Sequence, residues 1–169
     1  MSVPRQPFEE LITEHGPVVM RVCRAMLGPA DADDAWSETF IAALRAYPDL
    51  RPHSNVRGWL VTIAHNKAID ILRRAARAPR PIADVAQRPN TESTERLDAP
   101  VDDDLRTALD RLPPKQRGAV VYRYLADMAY ADVAALLDSS EAAARRSAAD
   151  GIAALRTVLH RPDPKGQRP

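Results

Sequence analysis

The chain has 169 residues, 45% hydrophobic and 28% charged, a balance typical of a folded globular protein and not of a disordered one. Its formal net charge is only +1, which excludes the uniformly basic surface of many nucleic-acid-binding proteins. Cys23 is the single cysteine, so no internal disulfide is possible and a buried structural thiol is expected. No uncharged apolar run approaches the roughly 18 residues of a membrane span, and no secretory signal is evident, so we expect a cytoplasmic protein.

Charge and proline divide the chain into parts. Residues 1–78 hold 10 basic and 9 acidic side chains, residues 79–104 hold 3 and 7, and residues 105–169 hold 11 and 7. The acidic stretch also carries four prolines between Pro79 and Pro100 and has little periodicity, which is typical of a linker. The sequence therefore predicts one domain over residues 1–78, a flexible acidic linker over 79–103, a second domain over 104–161 and a tail over 162–169.

Helical periodicity runs through both predicted domains, and no alternating strand pattern of useful length occurs, so the fold class is all-α. The first domain should contain a helix over Phe8–Leu27, interrupted where Pro17 disfavours a helical residue before it. A second helix should start near Asp31 or Asp33, as capping residues, and reach about Tyr47. After a loop, a long helix should run from about residue 55 to residue 77.

The predicted second helix has two opposite stripes. Trp36, Phe40, Ala43 and Tyr47 recur at helical spacing and indicate a buried apolar face. The opposite face combines charges with one apolar side chain, which suits a protein contact as well as a solvated surface. It consists of Asp34, Glu38, Ile41 and Arg45.

The third helix carries a polar seam beside an apolar face that includes Val56, Leu60 and Ala64. Arginines can bind phosphates, asparagine can contact a base edge, and an aromatic ring can stack on an unpaired base. The seam favours a surface that binds nucleic acid, although spacing alone fits a solvated face equally well. Its members are Trp59, Asn66, Asp70, Arg73 and Arg77.

The second domain ends in the pattern of a helix-turn-helix: a short helix in "YADVAALLDSS", a three-residue turn, and the longer "EAAARRSAADGIAALRTVLH". The longer helix should bury Ala144, Ala148, Ile152, Leu155 and Leu159. Its outer side offers few cations, and Arg146 and Asp150 stand four residues apart, where they can form a pair worth about 0.3 kcal/mol.

The sequence contains no pattern that indicates catalysis or a bound cofactor. The four histidines are scattered, and neither metal-ligand spacing nor a phosphate-binding glycine loop occurs. We therefore expect no enzymatic activity, no metal and no cofactor.

Four segments in register resemble the extracytoplasmic-function class of bacterial sigma factors. The segment "NVRGWLVTIAHNKAIDILRRAAR" is similar to the family's "WL..IA.N...D..RR" signature, and "DADDAWSETFIAALRAY" is similar to its "AEDLVQETFLRAW" helix. The opening "FEELITEHGPVVMRVCRAMLG" and the later "LRTALDRLPPKQRGAVVYRYLADMAYADVAALL" resemble the family's first helix and C-terminal domain. Ser37 and Trp36 depart from the usual pattern.

The resemblance implies an alternative sigma factor that binds core RNA polymerase and promoter DNA, both duplex and melted strand, with an anti-sigma factor as a further candidate partner. Core polymerase would bind Asp34, Glu38, Ile41 and Arg45. The minus-ten element would contact the preceding loop and the third helix, at Arg51, His53, Ser54, Asn55, Trp59, Asn66, Asp70, Arg73, Arg74 and Arg77. The minus-thirty-five element would contact Ser139, Ser140, Ala142, Ala143, Arg145, Arg146 and Ala149.

The reading helix of the second domain departs most from the family. Alanines at positions 142–144 stand where the family has glycine, threonine and valine, and Asp150 stands where it has a basic residue. Since phosphate neutralisation dominates DNA affinity, weaker minus-thirty-five binding is expected. Two alternatives stay open: a helix-turn-helix regulator that acts without polymerase, and a sigma-like module that only binds proteins.

Overall fold

A computed structural model describes residues 5–78 and 102–160, and the chain forms two compact units, one on either side of the boundary between residues 100 and 101. The first unit contains α1 (Phe8–Leu27), α2 (Pro29–Ala46), a 3₁₀ turn (Tyr47–Asp49) and α3 (Val56–Arg77). The second contains α4 (Asp103–Asp110), α5 (Pro114–Val120), a π-helical turn (Val121–Leu125), α6 (Tyr130–Leu136) and α7 (Glu141–Leu159). The described residues include no strand, which confirms the all-α prediction.

The three helices of the first unit pack against one another around a core of branched aliphatic and aromatic side chains. Leu11 and Val19 of α1 and Leu60 of α3 are fully buried, and Cys23 is 1% exposed, as expected for a structural thiol. Burial raises the pKa of that thiol to about 12. Aromatic rings extend the core along α2, where Trp36 and Phe40 lie with their centroids 4.6 Å apart.

Helix α1 is continuous, so the predicted interruption at Pro17 is wrong. Pro17 removes the hydrogen bond to the carbonyl of Thr13, a loss of about 3 kcal/mol in an isolated helix. Packing on both sides outweighs this loss, because Leu11, Val18 and Val22 are all buried. The indole of Trp36 also donates to the carbonyl of Gly16 at 3.0 Å and fixes the helix beside the proline.

Helices α2 and α3 begin in different ways. Helix α2 begins at Pro29 after Gly28, which has φ 82°, so the expected capping by Asp31 or Asp33 is wrong and Asp31 lies in the first turn. Proline at the first position preorganises the helix and gives up no hydrogen bond there. Helix α3 begins as predicted, with the Asn55 side-chain oxygen accepting from the N–H of Gly58 at 3.0 Å.

In the second unit α7 packs closely on α5 and α6. Ala148 is fully buried, and a methyl group added to Gly151 would lie 2.6 Å from the Cγ2 atom of Val120, so only glycine fits this approach. Leu159 is 46% exposed, which corrects its predicted place in the core, because the last turn of α7 extends past its partners. The turn before α7 has four residues, Leu137 to Ser140, one more than predicted.

The predicted linker falls largely outside the described residues. Asp102 and Asp103, which the sequence boundary assigned to it, cap and open α4, and the side chain of Asp102 accepts from the N–H of Asp104 at 3.2 Å. Within the two described ranges, no helix is long and apolar enough to cross a membrane.

Candidate nucleic-acid and polymerase interface

The outward stripe of α2, which consists of Asp34, Glu38, Ile41 and Arg45, lies at the surface of the first unit. Asp34 and Arg45 are exposed, and Ile41 is 52% exposed. Glu38 is half-buried, with its carboxylate 3.7 Å from the ammonium group of Lys67 on α3. Leu44, 56% exposed, lies one helical turn from Ile41 and was missed by the sequence reasoning, although its spacing from Ile41 is a signal for the same face. The surface is therefore charged at its rim and apolar between the charges.

The polar seam of α3 points away from the helix's buried face. Leu60, Val61, Ala64 and Ala68 form that buried face. Four of the five predicted seam residues are exposed, and the described structure records no contact for them with another side chain of the unit. These four are Asn66, Asp70, Arg73 and Arg77.

Trp59 differs from the rest of the seam because it is only half-exposed. Its ring lies 6.5 Å from that of Tyr47, with an angle of 34° between the planes. The indole therefore joins the aromatic cluster at the start of α3 and keeps part of its surface exposed.

Arg74 lies on the flank of α3 that faces α2, and not on the seam. It lines a shallow groove with Asp31, Asp34 and Glu38 on one side and Ile71 on its own helix. Three carboxylates line the same groove, so Arg74 adds a positive charge on the side of α3 that adjoins α2. The structure therefore separates two adjacent arginines that the sequence had grouped as minus-ten residues: Arg73 points outward and Arg74 toward α2.

The loop before α3 is a tight turn. The N–H of Ser54 donates to the carbonyl of Arg51 at 3.3 Å, with Pro52 at the second position and His53 at φ 61° in the third. These are the features of a type II turn, in which the third residue needs a positive φ. Non-glycine residues with such a φ are uncommon and tend to occur at functional sites.

The four predicted loop residues divide into two pairs. The hydroxyl of Ser54 donates to the carbonyl of Arg51 at 2.7 Å, and Asn55 caps α3. Arg51 and His53 are exposed, and the described contacts assign their side chains to no partner. The first pair therefore shapes the loop, while the second is free to contact a ligand.

At the start of α7, Ser140 is the capping residue. Its Oγ accepts from the N–H of Ala143 at 3.1 Å, and the hydroxyl of Ser139 donates to the Ser140 carbonyl at 3.5 Å. Ala142, Ala143 and Ala149 are exposed, as predicted for a reading edge. The carboxylate of Glu141, exposed in the first turn, lowers the affinity of this helix end for a phosphate.

The two arginines of α7 have different environments. Arg145 forms an ion pair with Glu141, and its guanidinium carbon lies 4.5 Å from the centroid of the Tyr130 ring. Arg123 lies over the same ring at 4.9 Å. Arg146 is exposed, and the described structure contains no ion pair between it and Asp150, although the sequence allowed one. Arg146 is therefore the freer cation on this edge.

The described residues contain no cluster of histidine, cysteine, aspartate or glutamate side chains that could hold a metal ion.

Comparisons with known proteins fit this division into two units. Sigma-70 region 2 matches residues 11–78, and Sigma-70 region 4 matches residues 102–155. RNA polymerase sigma factor CarQ of Myxococcus xanthus is 33% identical over 159 residues, which are 90% of this chain and 88% of CarQ.

ECF RNA polymerase sigma factor SigE of Mycolicibacterium smegmatis is 34% identical over 137 residues, and the chain spans only 52% of its length. Among solved structures, the sigma factor RpoE of Bartonella quintana, in complex with the anti-sigma factor NepR, has the same fold, with a TM-score of 0.72 and 20% identity over 92% of this chain and 98% of RpoE. The two matched regions, the similarity to CarQ and 31% identity to ECF RNA polymerase sigma factor SigM of Mycobacterium tuberculosis, over 92% of this chain and 78% of SigM, place this chain in the extracytoplasmic-function family of RNA polymerase sigma factors.

Proposed function

We propose that this sigma factor recruits core RNA polymerase through α2 and opens promoters through the seam of α3, and that it has no catalytic activity of its own. The observation that carries the proposal is the position of the seam: exposed Asn66, Arg73 and Arg77 continue along α3 from a strained turn at its start. A turn that presents two free side chains beside a row of hydrogen-bonding groups suits a melted strand, whose bases are unpaired.

The α2 surface supports the polymerase contact. Interfaces between proteins combine an apolar centre with a polar rim, and Ile41 and Leu44 lie between Asp34 and Arg45 in this way. Arg74 in the neighbouring groove adds a cation to the same side. An anti-sigma factor that binds this surface would prevent the polymerase contact. RpoE, which has the same fold as this chain, forms a complex with the anti-sigma factor NepR, and this supports an anti-sigma factor as a partner here.

The second unit is assigned to the minus-thirty-five element through α7. Its exposed alanines permit close approach and contact with thymine methyl groups, and Arg146 supplies a phosphate contact. Because few of its cations are free, we expect the second unit to bind the minus-thirty-five element weakly. It should therefore contribute less to promoter selection than the first unit. Action on RNA polymerase would make this a cytoplasmic protein.

The test is transcription by purified core polymerase with this protein, on DNA from upstream of its own gene. We expect promoter-specific transcripts that Asp34→Lys reduces at least tenfold, because the reversed charge weakens polymerase binding. Asp33→Lys makes the same charge change on the same helix, outside the outward stripe, and should leave the transcript yield nearly unchanged. Equal effects of the two variants, or no specific transcript from the wild type, would refute the proposal.

The same variants discriminate the open alternatives. A regulator that acts without polymerase would bind duplex DNA specifically in both variants, and Asp34→Lys would leave its regulatory effect intact. A module that only binds proteins would bind core polymerase but would leave the promoter DNA closed.

A further inference from the structure

The segment that precedes α1 binds the loop in front of α3. Arg5 donates from Nη1 to the carbonyl of Pro48 and from Nη2 to the carbonyl of Leu50, both at 2.9 Å. These carbonyls flank Asp49 and lie directly before Arg51, where the tight turn begins. One guanidinium therefore holds the backbone on the entry side of the loop with two charge-assisted hydrogen bonds.

A second set of contacts ties the same segment to the aromatic cluster. The guanidinium carbon of Arg5 lies 5.3 Å from the centroid of the Tyr47 ring, and the hydroxyl of Tyr47 donates to the carbonyl of Gln6 at 2.6 Å. Tyr47 in turn lies 5.4 Å from the ring of Phe8 and 6.5 Å from that of Trp59. The segment, the 3₁₀ turn and the first turn of α3 are therefore joined through one tyrosine.

The opposite end of the loop is held separately. Asn55 caps α3, and Ser54 closes the turn through the carbonyl of Arg51. With Arg5 holding Pro48 and Leu50 at the entry and Asn55 fixing the exit, the backbone between them has little freedom. The exposed Arg51 and His53 side chains project from this fixed backbone.

We propose that Arg5 is a positioning residue for minus-ten recognition: it holds the loop that presents Arg51 and His53, and so sharpens discrimination among bases without touching DNA. This inference rests on the proposed function of the loop. Fixing a contact geometry before binding reduces the free energy that is lost in ordering it, and a displacement of about 1 Å is enough to weaken a specific contact severely.

The first experiment measures the loop in the free, full-length protein. Amide hydrogen exchange at Ser54, whose N–H closes the turn, should accelerate about threefold to tenfold in Arg5→Ala, because the entry carbonyls are released. Arg5→Lys keeps the charge but cannot span both carbonyls, so it should accelerate exchange nearly as much. Arg24→Ala removes an arginine elsewhere on the first unit and serves as the control. Unchanged exchange at Ser54 in Arg5→Ala would overturn the positioning role.

The second experiment measures discrimination with core polymerase. The yield of transcript from the natural minus-ten element, divided by the yield from single-base variants of it, should fall about threefold to tenfold in Arg5→Ala. Binding to core polymerase and the response to changes in the minus-thirty-five element should match the wild type. A merely structural role would lower all yields together and leave the ratio constant, and that result would contradict the inference.

The two experiments separate this inference from the proposed function. A wild-type protein without any promoter-specific transcript would refute the proposed function and the base-discrimination half of the inference. The exchange result would still decide whether Arg5 holds the loop.

Discussion

The two units of this sigma factor build their surfaces by different means. The first uses long helices of 20, 18 and 22 residues, and aromatic rings fill the space between them. The second uses short helices before α7 and lets backbones approach closely through Ala148 and Gly151. The first unit leaves Arg73 and Arg77 of the seam exposed, while the second engages Arg145 locally with Glu141 and Tyr130. This difference predicts that nucleic-acid affinity is concentrated in the first unit.

The most direct test of this difference removes two arginines from the seam of the first unit and, in a separate variant, two arginines from α7. Arg73→Ala combined with Arg77→Ala should reduce initiation about 100-fold and reduce the slope of log affinity against log salt by about 1.4, since each lost phosphate contact on a single strand contributes about 0.7. The measurement is open-complex formation across a salt series. A decrease below about threefold would show that the seam faces solvent only.

The close packing in the second unit is tested at its tightest point. Gly151→Ala should lower the free energy of unfolding of this unit by about 1–3 kcal/mol, because the new methyl group would lie 2.6 Å from Val120 Cγ2. Gly16→Ala is the matched change in the first unit, where the methyl group would lie 3.4 Å from Trp36 at ordinary contact distance. There the higher helix propensity of alanine is opposed by the clash of its Cβ with the ring of Pro17, so stability should change by less than about 1 kcal/mol in either direction.

Region-resolved hydrogen exchange during denaturation measures both glycine variants. Destabilisation of the same size in the two units would contradict the packing difference.

The arginines of α7 should matter less than those of the seam. Arg145→Ala combined with Arg146→Ala should reduce binding to the minus-thirty-five element only about threefold to tenfold, because a contact worth about 1.4 kcal/mol changes affinity tenfold and Arg145 is already engaged. The single variants should differ, with Arg146→Ala accounting for most of the loss. Titration of a duplex containing that element supplies the measurement, and a larger loss from Arg145→Ala would show that its local contacts orient it for DNA.

The smallest effect is a dependence on pH confined to the first unit. Burial lowers the pKa of His15, an effect that Glu14 partly offsets and Arg57 reinforces, and burial also lowers the pKa of His65. Below pH 6.5, the ordinary pKa of histidine, the unfolded chain therefore binds more protons than the folded unit. The free energy of unfolding is therefore highest above pH 6.5 and declines as the pH falls below this value.

Thermal unfolding between pH 7.5 and pH 5 measures this decline. His15→Gln should reduce the decline, because it removes one of the two buried groups whose pKa is lowered. An equal decline in His15→Gln would assign the effect to other groups.

Local rules predicted much of this structure. The start of α3 near residue 55 was predicted, and Asn55 caps it because its side-chain oxygen reaches a free backbone N–H three residues on. The exposure of the α3 seam follows from helical spacing in the same way. The register of the family motifs supplied the functional class.

The errors arose where tertiary contacts decide. Pro17 is kept helical by burial on both sides and by the indole of Trp36, which is 20 residues away in sequence from the carbonyl it binds. The groove that Arg74 shares with carboxylates of α2 is a tertiary relation that no spacing rule predicts. The attachment of Arg5 to the loop joins residues more than 40 positions apart and has no local signal.

The π-helical turn at Val121–Leu125 has a consequence for the alignment of related sequences. A π turn inserts one residue into a helix, and here the N–H of Ala126 donates to the carbonyl of Val121, five residues earlier, at 3.2 Å. A relative that lacks this residue would turn the side chains that follow it by about 100° relative to those that precede it, so a position such as the exposed Tyr124 would change its surroundings. A single gap in this short segment therefore marks a change in the three-dimensional register of the helix, while the sequence on either side still aligns.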